Sequence, residues 1–162
     1  MTLRLADIHD LAQRFVPKAA ADRRLYESGP SSWWPAHEIG HFLVATRAEC
    51  REPKFGIDSC ADHGSSTYRY VITKEIAATS ISQRLLRRSG HSDLADDEIQ
   101  YTDEITLECS FERWCRRSVR ALLHKNRITR LPASPAGMER LLARKAHEVA
   151  SMLKDCHHRT DS

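Results

Sequence analysis

Trp33-Trp34-Pro35-Ala36-His37-Glu38-Ile39-Gly40-His41-Phe42-Leu43-Val44 is the stretch from which the rest of the chain is read. Ser31 or Ser32 can cap a helix here, and Pro35 is tolerated only in its first turn. Apolar residues occupy most sides of this helix, which predicts deep burial. His37 and His41 are four residues apart, so their rings leave the same face about one turn apart. Two imidazoles so placed can hold a zinc ion together. Glu38 is rotated by about 100° from His37. It is poorly placed as a ligand beside both histidines and well placed to take a proton from a metal-bound water, whose pKa zinc lowers to roughly 7. Gly40 leaves room for a close neighbour.

Chance does not explain the pattern. With nine His and eleven Glu in 162 residues, random order gives H-E-x-x-H an expectation of ~0.03. Two histidines hydrogen-bonded in an ordinary core are the bland alternative. Burying them with a glutamate on an apolar helix is costly without a partner, and a metal removes that objection. A catalytic zinc site normally has three protein ligands and an open position. No H-x-x-G-x-x-H continuation follows His41, which excludes the metzincin pattern. The third ligand is then sought among acids on later helices, Glu75, Asp103 and Glu104, with His63 and His91 as outsiders.

Outward from this helix, Leu5, Ile8, Leu11 and Phe15 have helical spacing within a first segment of about Leu3 to Glu27. Lys54 to Asp58 and Thr67 to Ile72 are β-prone, with Tyr68, Tyr70 and Ile72 alternating on one face and turn residues 61–66 between them. Thr73 then caps a helix of about Lys74 to Arg88, which Ser89-Gly90 ends. His91 to Gln100 reads as an acidic linker, and Thr102 as the cap of a long helix from Asp103 to about Asn126. Ser134 caps and Pro135 opens the last helix. The expected fold is therefore α+β and mostly helical: a zincin-like metal helix, a small β-hairpin or sheet, and a C-terminal helical bundle. One domain spans 1–162, with an N-terminal helix and linker (1–30), a metal-binding core (31–127) and a C-terminal helix (134–156).

The bulk composition agrees with a globular domain: 41% hydrophobic and 29% charged residues. A net charge of +3 gives no reason to expect nucleic acid or an anionic membrane as partner. No stretch approaches the roughly 20 apolar residues of a membrane span. Five cysteines without a C-x-x-C pair suit reduced thiols and a cytoplasmic setting. Trp33 and Trp34 read as a hydrophobic staple and core anchor, or as the wall of a substrate cleft. Tyr68, Tyr70 and Ile72 suit an edge strand to which a peptide adds. Cys60 and His63 are a weak second metal pair, and Cys109 and Cys115 read as buried small hydrophobes.

In the order HEIGHFLVA, KFGID, STYRYVITKEIAATSISQRLL and YTDEITLECSFERWCRRSV, the chain resembles the peptidase domain of the FtsH-type AAA metalloproteases over roughly Ala36 to Val119. The resemblance implies a zinc peptidase acting on protein or peptide substrates, with His37, His41 and Asp103 as ligands and Glu38 as catalytic base. No ATPase module or phosphate-binding loop accompanies it, the family's Gly-rich turn is replaced by RRSGHSDLADDEI, and Thr102 stands where the family usually has Asn. HEIGHFLV is also similar to the metal helix of the ImmA/IrrE-like peptidases, which cleave regulators; that resemblance implies Glu75 as third ligand, although the group's Glu-Ala-Asn signature is missing. The expectation taken forward is a zinc metalloendopeptidase, ATP-independent in this chain, with the oligomeric state left open to a homo-oligomer. The competing classes are a catalytically silent metal-stabilised binding or regulatory module and a DNA-linked regulator. Intact Glu38 argues against the first, and the small net charge and lack of a helix-turn-helix against the second.

Overall fold

The computed structural model describes residues 2–17, 24, 27–45, 66–106 and 112–157. Among them six helices follow in chain order: α1 (Leu5–Phe15), α2 (Trp34–Val44), α3 (Ser66–Arg88), α4 (Ser92–Thr106), α5 (Arg113–Lys125) and α6 (Pro135–His157). The 23-residue α3 is the central element. It packs against α2, α4 and α5, while α1 and α6 close over the other side of α2.

Local chemistry sets the helix ends. The Asp7 carboxylate accepts the Arg4 N–H at 2.9 Å at the start of α1, and Ile8, Leu11 and Ala12 turn inward from it. Ser32 Oγ accepts the Trp34 N–H at 3.2 Å before α2, and Pro35 sits in the first turn, where its missing donor costs nothing. Gly90 closes α3 at φ +86°, a conformation that suits glycine. Ser134 Oγ accepts the Gly137 N–H at 3.2 Å at the start of α6.

Every residue of α2 from Pro35 to Val44 is buried. Ile39, Leu43 and Val44 join Ile8 and Leu11 of α1, Ile81 and Leu85 of α3, and Met138 and Leu142 of α6 in one core. The C-terminal end of α2, where helix carbonyls lack partners, receives two buried lysines. Lys74 Nζ donates to the Val44 carbonyl, and Lys145 Nζ to the Ala45 carbonyl at 3.0 Å.

No strand forms among the described residues, so the α+β expectation is corrected to an all-helical fold. Thr67 to Ile72, read as a strand, is the first part of α3. Its Tyr-x-Tyr-x-Ile alternation is overridden by burial at helical spacing, Ile72, Glu75, Thr79, Ser82 and Leu86, with Tyr70 left 43% exposed. Thr73 is not a cap: its hydroxyl donates back to the Arg69 carbonyl at 2.8 Å, as a threonine inside a helix does. The supposed linker, His91 to Gln100, is largely α4. Its buried stripe, Ala95, Glu98, Thr102 and Thr106, is small and polar, so it carries little hydrophobic signal. Thr102 lies inside that helix, its hydroxyl 2.8 Å from that of Thr79 on α3. The long helix expected from Asp103 to Asn126 is instead the last turn of α4 and, from Arg113, α5. The first helix ends at Phe15 and not near Glu27. The expected strand at Lys54 to Asp58, the turn at 61–65 and the Cys60/His63 pair lie outside the described residues.

Gly40 is where α2 and α3 come closest. A β-carbon there would stand 2.5 Å from the Ala78 carbonyl oxygen and 2.7 Å from its Cα, both backbone atoms that cannot step aside. Gly40→Ala should therefore push the two helices apart and destabilise the fold by about 1–3 kcal/mol. Urea unfolding of the two proteins checks this; equal midpoints would show that the helices do not approach so closely.

Candidate metal centre

Glu75 lies one helical turn before Ala78 on α3, so the contact at Gly40 carries its carboxylate to the histidine face of α2. His37 Nε2 stands 3.3 Å from Glu75 Oε2, His41 Nε2 3.3 Å from Glu75 Oε1, and the two Nε2 atoms are 3.0 Å apart. Ligands 2.0–2.1 Å from a tetrahedral centre stand about 3.3 Å from one another. The three donors thus have the spacing of three corners of a tetrahedral ligand set, and no fourth donor joins them among the described residues. Among the described residues this buried trio, His37, His41 and Glu75, is the group that could hold a metal ion.

A fourth side chain holds the first ligand. Glu98 of α4 accepts from His37 Nδ1 at 2.8 Å, which leaves Nε2 as the atom aimed at Glu75 and His41. A carboxylate on the far nitrogen of a metal-binding imidazole fixes its tautomer and orientation. Glu98 is fully buried, and Glu38 is 2% exposed. Three carboxylates and two imidazoles therefore share the interior of a small domain. Acids so deeply buried cost several kcal/mol each unless a cation answers them.

Without metal the answering cation is a proton. Burial alone would lower the His37 pKa, but hydrogen bonds and charge from Glu75 and Glu98 outweigh it and raise the pKa to about 10. Burial pushes Glu75 up, and the stronger pull of His41 and His37 leaves it well below the ordinary carboxylate range. For Glu98 burial wins over the pull of His37, so its carboxyl is raised. Proton and metal compete for the same Nε2 of His37.

His37, Glu38 and His41 sit together on α2 as the sequence suggests. Asp103, expected as the third ligand, does not enter the trio. It is half-buried in the last turn of α4, five residues beyond Glu98 and so about 140° round the helix from it. Glu104 is exposed, and His91 is half-buried before α4. Glu75, considered as an alternative, takes the position instead. Glu98 was not singled out at all; its spacing of three and four from Ala95 and Thr102 was the available signal. The basic face of α5, with Arg113, Arg116, Arg117 and Arg120, shares no residue with this centre.

Compared with protein-family models, curated proteins and solved structures, the chain matches none of them.

Two outcomes follow from this geometry. Zinc affinity should fall most in Glu75→Ala, by about 10–100-fold in Glu98→Ala, and little in Asp103→Ala. A loss led by Asp103→Ala would overturn the ligand assignment. In metal-free protein, the stabilisation from charged His37 is complete below about pH 6.5 and is lost as pH rises through about 10. The raised Glu98 adds loss in the same direction, whereas the stability contributed by ionised Glu75, whose pKa is depressed, is lost only on acidification below the ordinary carboxylate range. Urea midpoints of chelator-treated protein should therefore fall between pH 6.5 and 10, and added zinc should raise stability more at pH 8 than at pH 6. A flat metal-free profile would show that His37 is not charged in the folded state.

Proposed function

We propose that the chain is a zinc-dependent peptidase that hydrolyses peptide bonds in protein or peptide substrates, with Glu38 as its general base. The observation that carries this reading is the buried trio His37, His41 and Glu75, with tetrahedral spacing and no fourth donor among the described residues, directly beside a buried glutamate. A purely structural site closes four ligands around the ion, whereas a catalytic site keeps three and an open position. Zinc fits the donor chemistry, two imidazoles and a carboxylate. When bound it would supply Lewis acidity, polarising a carbonyl oxygen and making water more acidic.

The chain's own residues supply the rest. His37, His41 and Glu75 fix the position, and Glu98 keeps the His37 ring in the required tautomer. Glu38 accepts a proton from the attacking water and returns it to the leaving amine, so the carboxylate is restored after each turnover. Asp103 has no place in this scheme. Glu75 as third donor is the arrangement that the resemblance to the ImmA/IrrE-like peptidases implies, and the fragmentary FtsH-type resemblance is the weaker guide to mechanism.

No helix of the described residues is long and apolar enough to cross a membrane, so a substrate in aqueous solution is assumed in the assay. Zinc-loaded wild type should cleave an unfolded protein such as casein. Glu38→Gln should bind zinc as tightly and lose about 100-fold or more in rate, because an amide cannot accept the proton. Equal rates would remove Glu38 from the mechanism. A zinc-loaded wild type that cleaves nothing would replace the peptidase by a metal-stabilised binding module.

A further inference from the structure

Three aromatic side chains meet on the histidine side of α2. Trp33 and Trp34 stack with ring centroids 4.0 Å apart, and Tyr101 of α4 closes the corner at 5.1 Å from Trp33 and 5.3 Å from Trp34. Both tryptophans touch the His37 ring edge-on, at 5.6 and 5.9 Å. Into this corner reaches Arg24. Its guanidinium lies 4.3 Å over the Trp34 ring and 5.7 Å from the Tyr101 ring, and Nη1 donates to the Tyr101 hydroxyl at 3.1 Å.

We propose that the Trp33–Trp34–Tyr101 corner is a subsite for the guanidinium of an arginine side chain in the substrate, and that Arg24 fills it from within the chain. The identity of the ligand rests on the peptidase reading, because a side chain seated here belongs to a peptide lying beside His37. The geometry selects arginine over lysine: a flat guanidinium stacks on one ring while donating in its own plane to the phenol, which a compact ammonium cannot do. Arg24 is exposed and the three rings are half-buried, so the contact faces water and can exchange. The cation–π part of this contact, at such a site, is worth about two- to fivefold in binding, a share that a substrate guanidinium can match.

The chain has three tryptophans, and the third, Trp114, lies on α5 with Arg69 over its ring. Indole N–H signals in nitrogen-15 spectra of the full-length protein therefore carry their own control. Titration of Arg24→Ala with N-acetyl-arginine amide should shift the Trp33 and Trp34 signals saturably and leave Trp114 in place. The neutral isostere N-acetyl-citrulline amide should do neither. Wild type should need more ligand than Arg24→Ala, by at least the about two- to fivefold of the cation–π contact, because its own arginine competes. Trp34→Ala should abolish the response, and Tyr101→Phe should weaken it. Should Arg24→Ala unfold, the wild-type titration at higher ligand concentration decides by the same signals. Indifferent Trp33 and Trp34 signals, or equal shifts with citrulline, would overturn the subsite. Casein hydrolysis without such binding would leave the peptidase and remove the subsite; saturable arginine binding in a protein that hydrolyses nothing would do the reverse.

Discussion

The missing side chain at Gly40 brings two backbones into contact. The main chain of α3 at Ala78 occupies the space where a β-carbon would stand, and Ala77, Ala78 and Ser82 keep the facing surface of α3 low. Helices this close place the side chains one turn away within reach of one another. Glu75 meets His37 and His41 for that reason. A bulkier residue at position 40 would move Glu75 before it moved either histidine, because the histidines belong to α2 itself.

Once the helices are so close, charge becomes the governing quantity. The trio, Glu38 and Glu98 bring three acids into the interior, while α2 ends in carbonyls that its own helix leaves without partners. Lys74 and Lys145 satisfy those carbonyls from α3 and α6, so the far end of α2 is tied by cations that are themselves buried. Lys74 precedes Glu75 in the sequence. One turn of α3 thus sends an ammonium to the C-terminal end of α2 and a carboxylate to its histidines. This places opposite charges where the helix can use them, the cation at the negative end of the dipole and the anion at the imidazoles.

His37, Glu38, Gly40 and His41 were legible because they are contiguous, and spacing on one helix is set by the helix alone. Glu75 was legible as one acid among several; choosing it required knowing which helix α2 touches. Glu98 was hidden in SDLADDEIQYTDE, where six acids mask a period and the buried stripe consists of Ala, Glu and Thr. The strand expected at Thr67 to Ile72 failed for a different reason. β-Branched and aromatic residues fit a half-buried sheet, but a lone hairpin is marginal, and here a long helix buries Ile72 and leaves Tyr70 exposed. Asp103 was favoured because the FtsH-type resemblance puts a ligand in the first turn of a helix, and a helix was expected to begin there. With α4 beginning eleven residues earlier, at Ser92, the same aspartate falls in the last turn and on another face.

His37 is the residue through which these parts meet. Its Nε2 faces Glu75 and His41, its Nδ1 donates to Glu98, and its ring edge rests on Trp33 and Trp34. Tyr101, three residues after Glu98 on α4, closes the aromatic corner from the same helix face that holds the ring. A shift of α4 along α2 would therefore alter the imidazole and the aromatic corner together. The metal-facing nitrogen and the surface proposed to read the substrate are coupled by one ring and one helix face, with no longer path between them. Recognition of a side chain in the corner and the setting of His37 are on this account a single mechanical unit.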